Sequence, residues 1–113
     1  MEMTVQDLGN RTTKVALHGR LDTPGVDQVE TRFTAAVAPS GKNALVDLSD
    51  VSFVSSMGLR MLISVARAVR LRKAQMVLFG AQQAVAEVFE HAALSDIIPV
   101  VADERAAFAA VTS

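Results

Sequence analysis

Two adjacent serines, Ser55 and Ser56, stand where an apolar strand-like run, Val51-Ser52-Phe53-Val54, gives way to a helix start at Met57-Gly58-Leu59. A hydroxyl at such a junction is exposed, and its backbone lies at the positive end of the helix dipole, so a charge added there is both accessible and felt. This favours chemistry done to the chain. Chemistry done by the serine is disfavoured, because Val54-Ser55-Ser56-Met57-Gly58 lacks the glycine two residues before the serine that a strained nucleophile elbow uses. No base is evident either. His18 reads as an exposed strand residue, and His91 lies near the C-terminal end of a helical segment, where the dipole accounts for a histidine.

Other candidates for chemistry are weaker. Gly41-Lys42 has part of the look of a phosphate-binding loop, but Ala36 occupies the place of the first glycine and Asn43 that of the metal-binding hydroxyl, so a plain turn is expected. Asp22, Asp47 and Asp50 fall at or near strand ends, the edge where open α/β sheets bind ligands, and three carboxylates suit a hard cation. The ordinary alternative is that Asp50 supports a turn and Asp22 precedes a capped helix; metal is set aside on that ground. The chain has no cysteine, which removes disulfides and thiol catalysis. No cofactor is expected.

The 113 residues, half of them hydrophobic, fit one domain spanning 1–113. Eleven basic residues against twelve acidic ones leave a formal charge of −1, so no overall field points to nucleic acid or to an anionic membrane. Without a basic-then-apolar leader or a membrane-length apolar run, a cytoplasmic location is the expectation, as a monomer or weak homodimer.

The elements that must position the serines follow from periodicity. Strands are expected at Met3 to Leu8 and Lys14 to His18, joined through the Gly9-Asn10 turn signal into an antiparallel hairpin. Thr23-Pro24 then supplies an N-cap and a proline at the first helical position, and Val26, Val29, Phe33 and Val37 recur at helical spacing before Pro39-Ser40-Gly41. Ala44 to Leu48 reads as a buried central strand. In the second helix Leu59, Leu62, Ile63, Val65, Ala66 and Val69 share one arc. Gln75 to Phe79 is a strand, Val85, Val88, Phe89 and Ala92 mark a third helix, Ile97 to Val101 a last strand, and Asp103 caps a final helix with Ala107, Phe108 and Val111 inward. The fold class is therefore α/β: a mixed four- to five-stranded sheet opened by an antiparallel hairpin, later strands parallel, with about four helices.

The outward face of the second helix repeats Met57, Arg60, Ser64, Arg67 and Leu71, each three or four residues from the last. Two readings fit equally: arginines that keep a helix soluble beside stray apolar residues, or a docking stripe for another protein that begins one residue after Ser56.

Leu45-Val46-Asp47-Leu48-Ser49-Asp50-Val51-Ser52-Phe53-Val54-Ser55-Ser56-Met57-Gly58-Leu59 resembles the signature of STAS domains, specifically bacterial anti-sigma factor antagonists, and His18-Gly19-Arg20-Leu21-Asp22 resembles the family's Gly-x-Leu-Asp segment. The family's Asp-Ser-Ser/Thr-Gly pattern falls on Ser55, Ser56, Met57 and Gly58, so the resemblance makes Ser56 the phosphate acceptor. It implies a non-enzymatic switch whose unphosphorylated form binds a partner that is both a serine kinase and an anti-sigma factor, with a serine phosphatase restoring the hydroxyl. Partner contacts would fall on Asp22, Ser55, Met57, Gly58, Arg60, Ser64, Arg67 and Leu71. Ser55 stands where the family usually has aspartate and Met57 where it has a second hydroxyl, which motivates an alternative: a constitutive STAS scaffold that is never phosphorylated.

Overall fold

The hairpin turn is made by Asn10 and Arg11, both left-handed at φ 50° and 54°, the backbone pair that matches the twist of two antiparallel strands. The computed structural model describes residues 1–112. After β1 (Glu2–Gly9) and β2 (Thr12–Leu21) the chain runs through α1 (Thr23–Val37), β3 (Asn43–Val54), α2 (Ser56–Leu71), β4 (Met76–Phe79), α3 (Gln83–His91), a 3-10 turn at Leu94–Asp96, β5 (Val100–Val101) and α4 (Glu104–Thr112). The sheet has five strands in the order β1-β2-β3-β4-β5, with β1 antiparallel to β2 and the remaining neighbours parallel. This is the expected mixed sheet with four helices.

Every parallel connection steps one strand further in the same direction, so right-handed crossovers bring α1, α2 and α3 to the same face. The side chains agree. Val29 and Phe33 of α1, Leu62 and Val65 of α2, and Val85 and Phe89 of α3 pack with Ala44, Val46 and Leu48 of β3 in one core. Leu45, between Ala44 and Val46 in sequence, points the other way and joins Val77, Phe79 and Ala107 under α4, as the two-residue period of a strand requires. Each fully buried leucine or phenylalanine here contributes about 1.5–3 kcal/mol through removal from water.

Several boundaries differ from those read in the sequence. β2 reaches Leu21 and β3 reaches Val54 because each is paired, and two register shifts let the strands continue in step past polar residues and past Gly19. The cap of α1 is Asp22, not Thr23: its carboxylate accepts the Gly25 N–H at 2.9 Å, which starts the helix one residue earlier and puts Pro24 in the first turn without loss of a bond. Only Val100 and Val101 form β5, since Ile97 closes the 3-10 turn and Ile98 is buried in the core. Asp103 caps α4 as expected, its Oδ1 accepting the Ala106 N–H at 2.9 Å.

Candidate functional site

β2 and β3 end side by side, with Leu21 opposite Val54, and each strand delivers the chain directly into a helix. Ser55 lies between β3 and α2 in extended conformation. Its N–H donates to Leu21 O at 2.9 Å, its hydroxyl donates to the same oxygen at 3.1 Å, and its Oγ accepts the Gly58 N–H at 3.2 Å. Ser55 is thus the N-cap of α2, half-buried, with both its proton and an acceptor site in use. Ser56 follows as the first helical residue and is exposed.

Gly58 holds this start against β2. A Cβ there would sit 2.6 Å from Leu21 O and 2.9 Å from Leu21 Cγ, so only glycine permits the approach. Gly58 is buried, and its lack of a Cβ shapes the junction.

Asp22 stands at the neighbouring helix start. Beyond capping α1 it accepts from Arg20 Nε at 3.3 Å. The Gly25 N–H, helped by the Arg20 guanidinium, holds the Asp22 carboxyl below its ordinary value, although partial desolvation pulls the other way. Arg20 also lies over the Phe53 ring, 4.4 Å from its centroid, so Arg20 and Phe53 join this edge although the sequence reading had not singled them out. Local alternation does not give Phe53 away, since Ser52 and Phe53 are both exposed between buried Val51 and Val54; a large apolar side chain turned outward is the informative observation.

Of the stripe predicted on α2, Met57, Arg60, Ser64, Arg67 and Leu71 are all exposed, Leu71 by 86%. Arg60, Ile63, Ser64, Arg67, Ala68 and Leu71 line a shallow groove of about 340 Å³ along it. Leu62, Val65, Ala66 and Val69 are buried as expected, whereas Leu59 and Ile63 are half-buried and Met61 joins the core. A larger open concavity, about 630 Å³, lies at the opposite ends of the parallel strands among Asn10, Arg11, Asn43 and Lys73, remote from Ser56.

The remaining candidates are dispersed. Asp47 sits 4.0 Å from Lys14 Nζ and its Oδ1 accepts the Ser49 N–H, whereas Asp50 lies 2.8 Å from His18 Nδ1 across the β2–β3 pair. Asp22, Asp47 and Asp50 therefore each have a separate partner, and among the described residues no three potential metal ligands gather. Gly41, left-handed at φ 70°, forms a turn whose carbonyl accepts from Arg11 Nη2 at 3.2 Å. Among the described residues no helix is long and apolar enough to cross a membrane.

The model of the STAS domain family matches residues 4–107. The chain is 32% identical over 94 residues to the Bordetella bronchiseptica protein BtrV, named as a candidate anti-sigma factor antagonist, with 83% of this chain and 81% of that one covered. It is 29% identical over 82 residues to the anti-sigma-B factor antagonist of Listeria monocytogenes, covering 73% and 72%. In structure it resembles a Thermotoga maritima protein crystallised as a candidate anti-sigma factor antagonist, with TM-score 0.88, 14% identity, and 98% and 95% covered. It also resembles the Bacillus anti-sigma factor antagonist SpoIIAA in two forms, at 19% identity in each. The unphosphorylated form gives TM-score 0.73 with 93% and 92% covered, and the phosphorylated form 0.67 with 97% and 99% covered.

Proposed function

The chain belongs to the STAS domain family, alongside bacterial anti-sigma factor antagonists, and we propose that it works as a phosphorylation-switched antagonist. In this reading the unphosphorylated domain binds a serine kinase that doubles as an anti-sigma factor and thereby frees the sigma factor. The kinase transfers phosphate to Ser56 and a serine phosphatase removes it. ATP and magnesium belong to the kinase. The chain supplies an acceptor hydroxyl and a contact surface.

The observation that carries this reading is the division of labour between the two serines. Ser55 is locked into the cap by Leu21 O and Gly58 N–H, whereas Ser56 presents its side chain to solvent one residue later. The departure at Ser55 is physically mild, since serine and aspartate are both strong N-caps and the serine here performs that task. A solved relative of the same fold exists in a phosphorylated form, which supports a modification compatible with the fold.

Energetics place the switch between molecules. Phosphoserine adds about −1.5 to −2 charges, and at a helix N-terminus this gains about 0.3–1 kcal/mol, so the domain stays folded. A partner packed over Ser56 would instead enclose that charge, at a cost of several kcal/mol. At about 1.4 kcal/mol per tenfold in affinity, the partner leaves. Incubation with the cell's own anti-sigma kinase and radiolabelled ATP checks the assignment: wild type and Ser55→Ala take up label and Ser56→Ala does not. Equal labelling of wild type and Ser56→Ala contradicts it.

A further inference from the structure

The charges of α2 and the residues just after it are one-sided. Arg60, Arg67, Arg70, Arg72 and Lys73 occur between Ser56 and Lys73 with no aspartate or glutamate among them, in a chain whose total charge is −1. Arg70 is engaged, its Nη2 donating to Ile97 O at 2.7 Å. Arg60 and Arg67 are exposed and, among the described residues, form no ion pair. They flank the groove in which Ser64, a small residue, leaves space, and Leu71 closes its far end with its side chain almost wholly in solvent. A leucine this exposed beside unpaired arginines is what a desolvating contact with an apolar centre and charged rim requires.

We infer that this face is a docking surface for a partner segment of acidic character: carboxylates meet Arg60 and Arg67, an apolar side chain enters the groove between them, and phosphate on Ser56 withdraws Arg60 from that contact. The last clause rests on the switch proposed above; the docking clause does not.

Spacing makes the inference specific. Arg60 and Arg67 are seven residues apart, about 10 Å along the helix, so the partner presents two carboxylates at that separation, as acidic residues two turns apart on a helix do. Ser56 and Arg60 are four apart, hence on one face, with the anion N-terminal to the cation, the favourable order. A phosphate there forms a charge-assisted pair with Arg60 and also offsets most of the positive charge of Arg60 and Arg67 together. The partner carboxylate that had met Arg60 then faces a phosphate, unpaired and repelled.

The test uses the full chain expressed in its own cells with Ser64→p-benzoylphenylalanine, a photo-crosslinker in the groove, and reads the crosslinked peptide by mass spectrometry. The expected peptide has an apolar residue flanked by aspartate or glutamate. Combined Arg60→Glu and Arg67→Glu lowers the crosslink yield about tenfold or more, while Arg32→Glu, a single charge reversal on exposed α1 surface, leaves it unchanged. Phosphoserine encoded at position 56 lowers the yield as well. A crosslinked peptide without acidic residues, a yield indifferent to the reversal of Arg60 and Arg67, or no crosslink overturns the docking inference. Phosphate-affinity electrophoresis of the same cells reports separately on Ser56, so failure of the switch is distinguishable from failure of the surface.

Discussion

The starts of α1 and α2 are built to one plan and differ in one respect. Each helix follows directly on a strand end, each N-cap accepts from the N–H of a glycine three residues on, and each glycine lies too close to a β2 carbonyl to bear a Cβ. The difference is charge. At α1 the cap is Asp22, ionised and braced by Arg20, and the next residues are Thr23-Pro24. At α2 the cap is the neutral Ser55, spent on Leu21 O and Gly58 N–H, and the next residues are the exposed Ser56 and Met57. The first helix already has the anion its dipole favours. The second leaves that place vacant, so a charge added later finds a favourable site without reorganising the backbone.

The largest effects should come from the shared plan. Gly25→Ala places a Cβ 2.0 Å from Arg20 O, a backbone atom with nowhere to go, and should destabilise the fold by about 3 kcal/mol or more in urea denaturation. Gly58→Ala meets Leu21 O at 2.6 Å and part of the Leu21 side chain, so about 1–3 kcal/mol is expected from the same measurement. A reversed order would mean that the α2 start is the more rigid of the two.

Ser55→Ala is next. It removes the cap of α2 and one donor to Leu21 O, at about 1 kcal/mol, and should leave Ser56 labelling intact. Loss of labelling with a preserved fold would transfer the acceptor role to Ser55.

The smallest effect separates the charged cap from the neutral one. The Asp22 carboxyl lies below its ordinary value of 3.8 in the folded chain, so its support of α1 is complete above that value and is lost as pH falls through the depressed folded value. The Gly25 amide resonance should therefore titrate in acid with a midpoint below 3.8, and the Gly58 resonance, facing a hydroxyl, should not follow it. Asp22→Asn should abolish the Gly25 titration. The Asp7 carboxyl is also lowered, by the Gly9 N–H and Lys42, which is why the single-residue readout is needed.

Much of this was legible in the residues. The unbroken apolar run Ala44-Leu45-Val46 reports a strand buried on both faces, the 3.6-residue recurrence of Val26, Val29 and Phe33 reports the buried face of α1, and burial dominates the fold. Features that depend on neighbours distant in sequence were not. Phe53 faces outward because Arg20, its pairing partner on β2, covers its ring, and no local pattern contains that contact. Met61 is buried because α2 packs on α1 as well as on the sheet, which widens its apolar arc. Thr23 is also an N-cap type, though a weaker one than aspartate; the Asp22 carboxylate caps the helix, with Arg20 and Gly25 both reaching it. The distinction between Ser55 and Ser56 likewise waited on Leu21 O, thirty-four residues from Ser55.

The central claim is that a phosphate on Ser56 dismisses a partner without disturbing the domain. The direct measurement is calorimetric titration of the cell's anti-sigma kinase with two versions of the chain, one unmodified and one with phosphoserine encoded at position 56, alongside their thermal unfolding. The phosphorylated chain should bind at least about 100-fold more weakly, which corresponds to about 2.7 kcal/mol, and should melt at the same temperature or slightly higher. Equal affinity for the two versions, or weaker binding accompanied by a lowered melting temperature, would contradict it.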